Sequence, residues 1–167
     1  MLFHNNILET IGDTPLVRLN KVISTNAMVL AKIESFNPGH STKDRMALKM
    51  IVDAEKKGIL KKNGTVIEAT SGNTGIALAF VCAARGYNLV LTMPSSMSIE
   101  RRKMLNFLGA KIVLTPKELG MNGAIEEAKK ISRKTKNSII LDQFKNQANP
   151  EIHFKTTAQE IWNDTQG

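Results

Sequence analysis

Thr70-Ser71-Gly72-Asn73-Thr74-Gly75 decides how this chain folds. Just upstream, Thr65-Val66-Ile67-Glu68-Ala69 reads as a short strand. Just downstream, Ile76-Ala77-Leu78-Ala79-Phe80-Val81-Cys82-Ala83-Ala84 is an apolar run closed by Arg85-Gly86, the mark of a buried helix with a glycine C-cap. The six residues therefore sit where a strand hands over to a helix. A helix start leaves amide N–H groups without intrahelical partners and carries partial positive charge, so it attracts anions. Gly72 and Gly75 allow close backbone approach, and Thr70, Ser71, Asn73 and Thr74 add short hydrogen-bonding groups. On these residues alone two readings stand open. One is a site for a carboxylate or phosphate at the C-terminal edge of a parallel sheet; the other is an ordinary polar turn with one capping residue.

Outward from that unit the pattern repeats. Residues 88–93 make a strand closed by Pro94, and Ser98 is an N-cap for a helix over 99–108 that stops at Gly109. A strand over 111–114 follows, then a helix over 120–134 marked by Ala124, Ile125, Ala128 and Ile131, a strand over 139–141, and a last helix over 152–162. Upstream lie short strands at 16–19 and 28–33, a polar loop broken by Asn37-Pro38-Gly39, and a helix over 43–57. In that helix Met46, Ala47, Met50, Ile51 and Ala54 share one face as core, and Gly58 ends it. Strand and helix alternate from Thr65 onward, which predicts an α/β fold: a parallel sheet with helices on both faces.

Composition narrows the function. Hydrophobic residues make up 42% of the 167, ordinary for one globular domain with a real core, and no apolar run reaches the length of a membrane span. Together with a polar start this gives an expected cytoplasmic location. Cys82 is the single cysteine, expected to be buried, and His4, His40 and His153 are scattered, so no metal-ligand spacing exists. The net charge of +8 suits an anionic partner. The basic residues are spread along helices, however, and aromatic residues are only 5%, so platforms for stacking bases are scarce. A solvated basic surface that draws small anions is the preferred reading over nucleic acid.

A second stretch, Ser41-Thr42-Lys43-Asp44-Arg45, begins a helix just after Asn37-Pro38-Gly39. The positive end of the helix dipole opposes a lysine charge at this position and favours the neutral, nucleophilic amine needed to capture an aldehyde. The alternative is a solvent-facing lysine paired to Asp44 or Glu34. Taken with residues 70–75, the run Asn37-Pro38-Gly39-His40-Ser41-Thr42-Lys43-Asp44-Arg45 resembles the fold-type II pyridoxal-phosphate enzymes, whose fold is like that of tryptophan synthase β, and most of all the cysteine synthases (O-acetylserine sulfhydrylases). Ile11-Gly12-Asp13-Thr14-Pro15-Leu16-Val17-Arg18-Leu19, Met97-Ser98-Ile99-Glu100-Arg101-Arg102, Leu108-Gly109-Ala110, Gly120-Met121-Asn122-Gly123 and Asn149-Pro150-Glu151-Ile152-His153 carry the same resemblance in order along the chain.

The resemblance implies roles. Lys43 would hold pyridoxal 5'-phosphate through its amine and later move the substrate Cα proton. Asn73 would hydrogen-bond the cofactor's ring hydroxyl. Thr70, Ser71, Gly72, Asn73 and Thr74 would grip the amino-acid carboxylate, with Gln143 as a second contact. The implied reaction is β-replacement on O-acetylserine by sulfide, giving cysteine. A homodimer of the full-length enzyme is implied, as is docking of the C-terminal tail of serine acetyltransferase. Cystathionine β-synthase shares both core motifs and is the rival within the family; a non-catalytic form that binds a carboxylate or a peptide is the rival outside it.

Members of the family are much longer, well over the about 150 residues of one domain. The resemblance here reaches only their N-terminal half. The Gly/Thr-rich loop for the cofactor phosphate and the small hydroxyl residue beside the pyridine nitrogen belong to the other half, so activity is expected to need it. Residues 35–150 are expected to form the α/β unit that carries the loops. Residues 1–34 are expected to pack on the second domain and 151–167 to begin it. Leu16, Val17, Leu19, Ile152, Ile161 and Trp162 are then expected to form an exposed apolar patch.

Overall fold

A computed structural model describes residues 3–21, 26–70 and 72–167. Strands β3 (Thr65–Ala69), β4 (Asn88–Pro94), β5 (Lys111–Thr115) and β6 (Ser138–Ile140) form a parallel sheet in the order β5-β4-β3-β6. A small antiparallel pair, β1 (Leu16–Arg18) and β2 (Leu30–Lys32), precedes it. The helices are α1 (Lys43–Lys56), α2 (Asn73–Arg85), α3 (Ile99–Phe107), α4 (Gly120–Lys134), α5 (Ala148–Ile152) and α6 (Ala158–Thr165).

Both faces of the sheet are covered, and β4 shows how. Its side chains alternate between faces. Thr92 donates its hydroxyl to the Ala124 carbonyl of α4 at 2.7 Å. Leu91, on the opposite side, lies over Gly75 of α2 together with Leu105 of α3. A Cβ at Gly75 would meet Leu91 at 3.3 Å, so glycine lets α2 settle closely on the strand. α1 packs outside α2 and closes the core with Met46, Met50 and Ile51, each 1% exposed or less. Cys82 is buried, as its apolar helix implies, and burial pushes its thiol up to about 12.

The element boundaries differ in three places. α2 starts at Asn73 and not at Ile76, because short polar residues suit a first helical turn. The last helix starts earlier, at Ala148, and carries a π-helical turn, His153–Thr157, between α5 and α6. The strand expected over 28–33 reduces to Leu30–Lys32.

The flanking segments pack more than expected. Leu8 is buried in the core, and Ile11 and Ile152 lie against it. What holds them is Arg45, whose side chain is 2% exposed. Its Nη2 lies 2.9 Å from Glu34 and 2.7 Å from Glu160 of α6, and it also donates to Thr14 and Thr156. Lys32 joins Glu160 at 2.8 Å. One guanidinium therefore ties the N-terminal segment, α1 and α6 together. Val17, Ile161 and Trp162 do remain exposed.

Replacing Arg45 by Met should leave Glu34 without its cation and Glu160 with Lys32 alone. A loss of about 3–5 kcal/mol is expected in urea unfolding; a loss below about 1 kcal/mol would mean the network is a bystander.

Candidate active site

The sheet places the site. From β3 the chain steps to β4 and β5, then crosses back to lay β6 on the other flank of β3. Neighbouring strands whose connections diverge leave a crevice at their C-terminal ends, where open α/β sheets bind ligands. β3 is followed by Thr70 and, from Asn73, by α2; the connection after β6 begins at Leu141.

Two residues meet across this crevice. Thr74 donates its hydroxyl to Gln143 Oε1 at 2.6 Å, and both side chains are buried. That bond orients the amide and leaves its Nε2 as a donor. Thr70 is buried beside them, its hydroxyl 3.4 Å from the Gly72 amide. A cavity of about 510 Å³ opens here, with Thr70, Gly72 and Gln143 on its polar side and Met121, Ile125 and Phe144 on its apolar side. Asn73 is exposed at the start of α2, and Ser71 lies outside the described residues.

Lys43 and Asn73 do not line that cavity; each is the first residue of its helix, α1 and α2. α1 and α2 pack together, with 14 and 13 residues. Their last turns are joined: Glu55 takes Arg85 Nε at 2.8 Å and Tyr87 Oη at 2.8 Å. Glu34 is taken by Arg45, and Asp44 accepts from the Gly39 amide at 2.5 Å. Among the described residues no side chain pairs with the Lys43 amine. His153 is near enough to feel it: burial first, then the charges of Arg45 and Lys43, hold this imidazole below its ordinary range.

Asp44 is fully buried, and its Oδ1 has no partner. Burial raises this carboxyl to about 6, against the pull of the Gly39 amide. A Cβ at residue 39 would run into the same carboxylate, which is why glycine stands there. Sequence reasoning missed Glu68, the cavity wall of Met121, Ile125 and Phe144, and the Arg45 network. Only Glu68 left a signal, an acid inside an otherwise apolar strand.

The fold and this crevice define a class. Residues 7–167 match the family model described as pyridoxal-phosphate dependent enzyme, and the chain belongs to that family. Its similarity is to cysteine synthases. One from Flavobacterium sp. is 57% identical over 159 residues, covering 95% of this chain and 52% of that protein. Cysteine synthase A of Escherichia coli K12 is 57% identical over 167 residues, covering 99% and 51%. The crystal structure of the cysteine synthase of Entamoeba histolytica superposes with a TM-score of 0.93 at 44% identity, over 99% of this chain and 50% of that one. The chain spans about half the length of the curated relatives it matches.

The donor set suits one end of pyridoxal phosphate. Among the described residues the Lys43 amine has no side-chain partner, and Thr70, Gly72, Thr74 and Gln143 give the crevice its N–H and O–H groups. No Gly/Thr-rich stretch for a phosphate occurs in the 167 residues.

Asp44 supplies a pH signature. Its folded value of about 6 lies above its ordinary 3.8. The stability it contributes is therefore full below about pH 4 and lost as pH rises through about 6. Asp44→Asn should remove that decline, making the variant more stable than wild type by on the order of 1–3 kcal/mol above about pH 7. Unfolding free energies that fall in parallel for the two proteins would contradict this.

Proposed function

We propose that this chain forms the amino-acid-binding half of a cysteine-synthase-type site, acting in β-replacement on O-acetylserine by sulfide to give cysteine and acetate. The observation that carries the reading is the buried hydrogen bond from Thr74 to Gln143, which joins the two strand-end loops at the switch point. In this reading the substrate carboxylate takes N–H and O–H groups of residues 70–74 and the Nε2 of Gln143. Holding the carboxylate at both edges fixes the direction of the Cα–H bond, so part of the binding free energy becomes positioning. Lys43 would hold pyridoxal phosphate by its amine, with Asn73 donating to the ring hydroxyl. The bound cofactor supplies the electron sink for the charge left at Cα. Lys43 Nζ takes the Cα proton.

The phosphate of the cofactor would be held by residues of the half that the relatives have and this chain does not span. The same reading assigns residues 35–150 to the loop-bearing unit and the flanks 1–34 and 151–167 to contacts with that half. It also carries a homodimer and a cytoplasmic location. A cystathionine β-synthase-like reaction uses the same carboxylate grip and differs in the nucleophile, on which these residues are silent.

A second reading has its own support in the apolar wall beside the anion loop. It is a non-catalytic site for a peptide C-terminus ending in an apolar side chain, such as the tail of serine acetyltransferase.

The two readings part in one experiment. Pyridoxal phosphate is added to the chain together with a cysteine synthase C-terminal half, and the absorbance of the imine is recorded. The enzymatic reading predicts a band that Lys43→Ala abolishes. A band unchanged by that substitution removes Lys43 from its role; saturable peptide binding with no band at all favours the second reading.

A further inference from the structure

Glu68 occupies a position where an apolar residue is the ordinary choice. It sits in β3 after Val66 and Ile67 and is 3% exposed. Both of its carboxylate oxygens are engaged by backbone. Oε2 accepts the Asp142 N–H at 3.0 Å and Oε1 accepts the Gln143 N–H at 3.2 Å. These two amides open the connection after β6, on the other side of the crevice from the 70–75 loop.

That connection has a backbone in need of support. Asp142 is left-handed, with φ 50, a conformation uncommon outside glycine. Other ties come from farther along: the Lys145 and Asn146 amides donate to the Asp142 carbonyl at 3.0 and 2.9 Å, Asn146 Nδ2 to the Leu141 carbonyl at 2.9 Å, and Asn149 Nδ2 to the Gln143 carbonyl at 3.0 Å. Among the described residues, Glu68 is the β3 side chain that bonds this connection. The Gln143 side chain, carried by this backbone, then accepts from Thr74.

We propose that Glu68 is a positioning residue of the site: its ionised carboxylate pins the Asp142 and Gln143 amides, and so sets Gln143 against Thr74 with Nε2 directed toward a ligand carboxylate. The functional part rests on the amino-acid reading above. Two converging N–H donors need two acceptor oxygens. Glutamine at 68 offers one oxygen and turns an NH2 group against the other N–H, so it keeps the shape and loses half the clamp. Protonation has a related effect, because a neutral carboxyl has lost part of its acceptor capacity. Burial pushes the Glu68 carboxyl above its ordinary range and Asp142 adds to this, while the amides of Gln143, Asp142 and Leu141 oppose it. Lys129 of α4 and Lys145 of the connection are the cations on the same cavity wall. Acidification therefore loosens the clamp.

The test uses the 15N-labelled chain, its Glu68→Gln variant and L-serine as the probe. In wild type, amide hydrogen exchange at Asp142 and Gln143 should be slow compared with an unstructured peptide. L-Serine affinity, measured by calorimetry, should fall on acidification through the Glu68 range. Glu68→Gln should melt close to wild type, bind L-serine about tenfold more weakly and lose that pH dependence. Affinity within about twofold of wild type overturns the proposal. So do Asp142 and Gln143 amides that exchange at unprotected rates, a result that decides the matter even if the variant does not fold. Wild-type protein that ignores L-serine while both amides stay protected would instead overturn the amino-acid reading and leave the pinning intact.

Discussion

At β3 the chain moves outward to β4 and β5 and then crosses back to lay β6 on the opposite flank. No other feature of the molecule constrains so much. The reversal forces the loop after β3 and the connection after β6 to diverge, and a crevice opens where they part. It brings Thr74 within 2.6 Å of Gln143, a residue 69 positions away. The first turn of α2 thereby packs Gly75 on Leu91 of β4 while Thr74 reaches the connection after β6.

Buried charge is handled in three ways, and the direction of each titration follows from the partner. Glu160 faces a guanidinium and an ammonium; the Arg45 hydrogen bonds, against burial, carry it down to about 2. Glu68 has only backbone N–H groups as partners, and burial wins, so it moves up. Asp44 has one amide and an unpaired oxygen and rises to about 6. Full counter-charges outweigh desolvation here, and one or two amide dipoles do not. The cation is used where segments distant in sequence must be joined. Dipoles are used where a loop must be held in register beside a site.

Much of the fold could be read from the sequence because it rests on local patterns. The β3–loop–α2 unit, the Ser98 cap and the glycine ends of α1 and α2 each depend on residues within a turn of one another. Ser98 does accept the Arg101 amide, as its position implies. The candidate site was legible in parts. The anion loop followed from its place between strand and helix, whereas the pairing of Thr74 with Gln143 was accessible only through family resemblance. Glu68 looked odd in an apolar strand, yet its acceptor role depends on amides 74 and 75 positions later. Arg45 could have been assigned to either neighbouring acid; its actual partners lie 11 and 115 positions away. The π turn at His153–Thr157 has no local signature, since its residues suit an α-helix equally well.

Membership in the pyridoxal-phosphate dependent family and a crevice at the switch point converge on one claim: the ends of β3 and β6 together form a single receptor for an amino-acid carboxylate. Locating the ligand tests it most directly. In a 15N–1H NMR titration with L-serine, the amides of Gly72 to Gly75 and the side-chain NH2 of Gln143 should shift along one saturating curve. Gly64 and Asn88, at the far edge of the sheet, should not move. Shifts that fail to saturate, or that appear on only one of the two loops, would contradict the account.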